Sequence, residues 1–321
     1  MLFFSWQETL LMVMAALALD WLLGDPRWLP HPVTGIGKLI AWLERKLYGF
    51  LAKRLGGIIL AASVTLGAAA LTWCVTAAAW QVHPWLGYAA HTWLISTTLA
   101  VKGLKDAAME VYHPLMRGDL EEARSKTGMI VGRDTEHLDG PELTRAAVET
   151  VAENTTDAFV APLLYALLGA APLAMFYRAA NTLDSMVGYR NAKYARFGWA
   201  SARLDDALNW IPARVAGVLL LAAAWLYPHG SATDAWKSWR AFAHLHPSPN
   251  SGIPEAAVAG ALGIRLGGVN RYGGIVSERA YLGWAKRPLV PEDIRHAVRL
   301  LDLASYLAMG GLLCGALAML F

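Results

Sequence analysis

Three stretches of this chain place ionisable and amide side chains at spacings that could do chemistry. In VGRDTEHLDGPELTRAAVETVAENTTDAFVAP, Arg145, Glu149 and Glu153 recur every four residues. On a helix that interval gives one face, which Asp157 extends, and Asn154 lies alongside. Carboxylates in a row repel one another unless something neutralises them. Arg145 can pair one, and Mg²⁺, which takes one or two carboxylates together with phosphate oxygens and water, can neutralise the rest. In YRAANTLDSMVGYRNAKYARFGWASARLDDALNWIPARV, Asn181, Asp184, Gly188 and Asn191 follow helical spacing, and Gly188 leaves room beside Asp184. Asp205, Asp206 and Asn209 form a second cluster of oxygen ligands. Arg178, Arg190, Lys193 and Arg196 offer positive charge to an anion, with Arg214 close behind. In HLHPSPNSGIPEAAVAGALGIRLGGVNRYGG, prolines keep the chain extended up to Asn250 and Ser251, which can cap a helix opening at Pro254-Glu255. Such a helix start suits a phosphate. The glycine pairs further on read as tight turns.

Other signals are weaker. Residues 24–37, GDPRWLPHPVTGIG, carry three prolines in seven residues, which predicts an extended strap holding Asp25 and His31. Residues 119–130 read as a solvated amphipathic helix ending at Gly128, and Asp139, Pro141 and Glu142 as the capped start of the next. The Gly35-Ile36-Gly37-Lys38 run fails P-loop spacing, so any nucleotide is bound without a Walker motif. No HExxH, zinc spacing or Ser-His-Asp order stands out. His83 and His91 lie in an apolar hairpin, where polar packing outweighs an iron-type cofactor. Cys74 and Cys314 lie in apolar runs and read as small buried hydrophobes.

The elements that must position these groups are membrane helices. Hydrophobic residues make up 56% of the 321, charged residues 17%, and mean hydropathy is +0.35. An ordinary soluble domain carries about 25% charged residues. With 14 Trp and 29 Gly, the composition suits helices packed in lipid, and a net charge of +3 is too small to imply nucleic acid. The fold predicted is an all-α polytopic bundle in one membrane-embedded domain, residues 1–321, with four to six membrane segments, some of them re-entrant. The apolar segments lie near 9–23, 56–80, 84–101, 159–177, 211–227 and 303–321. The first is read as a retained helix: no Lys or Arg precedes it and no small-x-small cleavage site follows. Four polar stretches, 24–55, 102–158, 178–214 and 229–302, hold six, seven, six and nine basic residues. The positive-inside rule asks for all four in the cytoplasm, which simple alternation across six spans does not allow. A break at Gly169-Ala170-Ala171-Pro172, or a short segment holding Arg214, would resolve the conflict.

Read together, GDPRWLPHPVTGIGKLI, VGRDT, RAAVETVAENTTDAFVAPLLY, YRAANTLDSMVGYRNAKY, ARLDDALNWIPARV and SPNSGIPEAAVAGALGIRLGG resemble the cobalamin-biosynthesis membrane family CbiB/CobD, in the family's order over residues 24 to 274. The resemblance implies adenosylcobinamide-phosphate synthase activity. A propionate of adenosylcobyric acid would be joined to the amine of (R)-1-amino-2-propanol phosphate, with ATP as co-substrate and Mg²⁺, at the bacterial inner membrane with functional loops facing the cytoplasm. It does not distribute the roles. Glu149, Glu153 and Asp184 are expected in metal or general-base work, with Asp205 and Asp206 as further metal ligands. Arg145, Arg178, Arg190 and Arg214 are expected to meet phosphates or corrin carboxylates. Asn154, Asn181 and Asn250 orient, and Asp25, His31 and Asn209 complete the substrate set. Two other readings stay open: a small-molecule transporter, since intramembrane carboxylates and broken helices also mark ion paths, and a signalling protein of the AmpE kind without turnover.

Overall fold

The computed structural model describes residues 4–25, 31–189 and 191–319, and these form fourteen α-helices and one β-hairpin. In chain order they are α1 (Trp6–Leu23), α2 (Pro32–Phe50), α3 (Lys53–Val82), α4 (Pro84–Ser96), α5 (Val101–Met116), α6 (Leu120–Gly128) and α7 (Gly140–Thr155). Then follow α8 (Ala161–Val187), α9 (Tyr194–Phe197), α10 (Trp199–Leu208), α11 (Trp210–Leu226), α12 (Ala232–Phe242), α13 (Gly252–Leu262), β1 (Leu266–Tyr272), β2 (Ile275–Leu282) and α14 (Glu292–Ala318). A π-helical turn, Thr156–Val160, joins α7 to α8.

Capping chemistry sets several of these boundaries. Ser5 and Glu8 form a capping box that starts α1 three residues before the apolar run, and Asp139 with Glu142 does the same for α7. Asp119 caps the exposed α6. The expected strap over 24–37 is corrected at its second half. Pro32 is the first residue of α2, where its missing N–H is not needed and its fixed φ suits the helix. His31 caps that helix, its Nδ1 accepting from the Val33 N–H at 3.3 Å. Residues 26–30 of the strap lie outside the described residues.

Four helical runs are long and apolar enough to cross a membrane: Trp6–Leu23, Lys53–Val82, Gly140–Val187 and Glu292–Ala318. Counting Trp199–Leu208 with Trp210–Leu226 as one broken span makes five. The chain is therefore a predominantly helical, multi-pass membrane protein. The apolar run 84–101 does not make a span of its own, because α4 stops after 13 residues. There Thr97 and Thr98 turn their hydroxyls onto the carbonyls of Leu94 and Ile95 at 2.8 and 2.7 Å, offering the backbone an alternative to helix. The expected break in α8 is present. Gly169 and Ala170 leave helical dihedrals, Ala170 at φ +51°, and Pro172 follows. The N–H of Ala171 is taken by Nδ1 of the buried His91 at 3.4 Å, so His91 serves polar packing. His83 caps α4 through the Trp85 N–H. Both cysteines are exposed rather than buried: a membrane helix is apolar on its outer face too, so an apolar run does not say which residues point inward.

The chain divides into two compact units. The first comprises residues 1–100, 157–209 and 311–321, the second residues 101–156 and 210–310. In the first, α3 packs along α2, α4 and α8, and α10 lies on α8, around a core that includes Leu17, Ile40, Leu60, Phe159, Tyr177 and Phe197. In the second, α13 is buried along its whole length and packs on α7, α11 and α12. The glycine-rich segment after it is more than turns: β1 and β2 pair antiparallel, with a bulge between Leu266 and Gly268. Asp134 accepts the Gly273 and Gly274 N–H groups at 2.9 and 2.7 Å and ties down the hairpin tip.

Candidate functional site

Glu149 is the centre of a polar cluster in the second unit. One carboxylate oxygen accepts from Arg133 Nη1 at 2.8 Å and the other from the Gly267 N–H at 2.7 Å. The ion pair is well shielded, with side-chain exposures of 5% for Arg133 and 13% for Glu149. Arg145 was expected to pair with one of the helix carboxylates. Instead its guanidinium donates to the carbonyls of Gly267 and Val269 and to Asn270 Oδ1, which Arg133 Nη1 also reaches. The physical reason is the bulge at the start of β1. Gly267 has φ +78°, and a Cβ there would run into the Ala280 carbonyl, so only glycine turns this peptide toward both Glu149 and Arg145.

One turn along α7, Glu153 accepts from Ser251 Oγ at 2.9 Å, at the start of α13. Asn250 is buried next to it. Glu255, on the first turn of α13, is 4% exposed, and His246 Nε2 lies 3.5 Å from its carboxylate without forming a hydrogen bond. Burial, reinforced by the charges of Glu153 and Glu149, holds the Glu255 carboxyl well above the usual glutamate range. Burial also pushes the His246 imidazole down, toward the neutral form. Asn154 turns away from the cluster and donates to the Thr150 carbonyl of its own helix. Arg214 stacks at 4.0 Å over the Trp210 ring and donates to that residue's carbonyl.

The first unit holds an amide–carboxylate network. Asn181 Nδ2 donates to Asp157 Oδ2 at 3.2 Å and to Asp205 Oδ1 at 3.3 Å. Asn209 Nδ2 donates to Asp205 Oδ2 at 2.9 Å, and the buried Tyr177 hydroxyl donates to Asn209 Oδ1 at 2.8 Å. Asp184 and Asp206 act on Asp205 through their charge. A Cβ at position 188 would collide with the Asp184 carboxylate, so the room expected beside Asp184 is what Gly188 provides. The helical face predicted through Asn191 stops short, since α8 ends at Val187 and Asn191 accepts from the Tyr194 N–H. Lys193 is engaged by Glu44 at 2.7 Å rather than free for an anion. Arg178 carries a buried Nε without an acceptor among the described residues, and Arg190 lies outside them. Asp25 Oδ1 and His31 Nε2 meet at 3.1 Å.

Among the described residues no group of three or more His, Cys, Asp or Glu is arranged to hold a metal ion. The cluster residues that sequence reasoning did not single out are Arg133, His246, Glu255 and Asn270. Their only signal was membership of the polar strings VGRDT and HLHPSPNSGIPEAAVAGALGIRLGGVNRYGG, because their partners are remote in sequence.

A family model described as CobD/Cbib protein matches residues 13–301. The chain is 48% identical over 290 residues to "Cobalamin biosynthesis protein CobD" of Halalkalibacterium halodurans, covering 90% of this chain and 91% of that one. It is 47% identical to the CobD protein of Klebsiella pneumoniae, covering 94% and 95% of the two chains. To "Cobalamin biosynthesis protein CbiB" of Salmonella typhimurium it is 45% identical, covering 96% and 98%. No solved structure matches the chain.

Proposed function

The chain belongs to the CobD/CbiB family, a cobalamin-biosynthesis family, and from that premise we propose that it is adenosylcobinamide-phosphate synthase. On this reading it joins a carboxylate of adenosylcobyric acid to the amine of (R)-1-amino-2-propanol phosphate, with ATP and Mg²⁺, in the bacterial inner membrane with its polar stretches facing the cytoplasm. The observation that carries the reading is the cluster around α7 and α13, where Glu149, Glu153 and Glu255 lie with Arg133, Arg145 and His246. An amine nucleophile must lose a proton as the amide forms. Glu153, whose carboxylate takes the Ser251 hydroxyl, is the acceptor for it. Arginine charge next to these carboxylates suits substrates that bring phosphate and carboxylate groups together.

Mg²⁺ would offset the charge of transferring phosphoryl groups, and it commonly takes one or two protein carboxylates with phosphate oxygens and water. Both oxygens of Asp205 already accept, from Asn181 and Asn209, and no three of the described carboxylates are arranged around an ion, so Mg²⁺ would enter with the substrate phosphates, met by at most one or two carboxylates of the first unit. Glu149 does not suit the ion, since both of its oxygens are already engaged. Purified protein in detergent, given adenosylcobyric acid, aminopropanol phosphate, Mg²⁺ and ATP, should yield a product with the mass of the amide. Absence of that product, with the corrinoid recovered unchanged, overturns the reading.

A further inference from the structure

Arg133 is nearly enclosed, with 8% of its surface exposed, yet among the described residues only one of its three guanidinium nitrogens has a partner. Nη1 serves Glu149 and Asn270. Nε and Nη2 are buried and meet no acceptor among the described residues. Those two nitrogens form one edge of the planar group, with parallel N–H bonds at the spacing of two oxygens of a phosphate or carboxylate. Arginine cannot escape the cost by releasing its proton, so an unfilled buried edge is expensive unless something occupies it. A second orphan lies in the same cluster: His246 Nε2 is buried without a hydrogen bond. One turn along α7 from Glu149, Glu153 holds Ser251 at the start of α13.

We propose that the Nε–Nη2 edge of Arg133 is an oxyanion subsite that receives the phosphate monoester of the amine substrate. The assignment rests on the amide-forming reading above. It gives Arg133 two separate edges for two tasks: Nη1 fixes Glu149, and the opposite edge grips substrate. A two-point grip fixes the orientation of the phosphate, which a point charge does not.

Arg133→Lys keeps a cation for Glu149 and removes the two-nitrogen edge. In purified protein the variant should raise KM for aminopropanol phosphate by about 10- to 100-fold. KM for the unphosphorylated amine, and KM for ATP, should stay within about threefold of wild type. Inorganic phosphate should compete with the amine phosphate and raise the melting temperature of the wild type, and should do neither in the variant. An unchanged preference for the phosphorylated amine overturns the proposal, as does a rise in KM for ATP alone, which would give the edge to the nucleotide. If phosphate protects both proteins equally, the edge holds water only. Should Arg133→Lys not accumulate, Arg133→Gln combined with Glu149→Gln leaves neither charge uncompensated, and the melting shift with phosphate alone is read on it. Failure of the wild type to make any amide sinks the enzymatic reading, while the melting shift with phosphate still judges the subsite.

Discussion

Removing the charge from Glu149 leaves Arg133 buried beside an amide, whereas removing it from Glu153 leaves a neutral group that still accepts from Ser251. The two substitutions are chemically identical and one helical turn apart, so spacing alone would give them the same consequence. Their partners separate them. Breaking a shielded ion pair costs about 3–5 kcal/mol because the remaining charge is uncompensated. Glu149→Gln should therefore lower the melting temperature in detergent as well as activity. Glu153→Gln should melt like the wild type and lose about 10²- to 10⁴-fold in turnover, as expected for a general base. Glu121→Gln and Glu122→Gln, on the exposed α6, should change neither quantity. Glu122 does pair with Arg117, but both side chains are largely in solvent, where such pairs contribute little. Amide synthesis by Glu153→Gln at the rate of Glu121→Gln would remove Glu153 from the chemistry.

At the scale of elements, what could be read from the sequence was whatever is decided within a few residues. The capping box of α7 is such a feature: Asp139 and Glu142 satisfy each other's backbone groups with no help from elsewhere. The break in α8 is another, since Gly169 and Pro172 both disfavour helix. The hairpin β1–β2 and the partners of Glu149 are not. The Gly267 N–H that reaches Glu149 comes from 118 residues away, and nothing in the spacing of α7 could choose Arg133 over Arg145. The break also makes a prediction of sign. Ala170 has φ +51° and ψ −148°, a region open almost solely to glycine, and holding a side chain there costs on the order of 1–3 kcal/mol. Ala170→Gly should raise the melting temperature by relieving that cost, net of the roughly 0.5–1 kcal/mol of extra chain entropy glycine loses on folding. Ala171→Gly, one residue on and helical, should lower it. Equal shifts of the two variants in either direction would mean that the backbone at 170 carries no strain.

For the whole molecule the open question is which face of the membrane each polar stretch occupies, and the contacts inside each unit constrain it. In the first unit Glu44 pairs with Lys193 and accepts from Tyr194, and Tyr48 donates to the Lys193 carbonyl. The last half of α2 and residues 193–194 therefore share a face. In the second unit Asp134 holds the hairpin tip, Glu153 meets Ser251 and Lys105 pairs with Asp302, so 102–156 and 229–302 share a face as well. Adding the Lys and Arg content of all four stretches, the expected common face is the cytoplasm. Single cysteines replacing Arg45, Ser125, Arg196 and Lys286, in a background without Cys74 and Cys314, test this directly. In intact cells none should react with a membrane-impermeant thiol reagent, and all four should react once the inner membrane is opened. Labelling of position 196 alone from outside would contradict the pairing of Lys193 with Glu44. Labelling of 125 and 286 together, with 45 and 196 protected, would put the two polar clusters on opposite faces, and ATP, amine and corrinoid could then not meet at both.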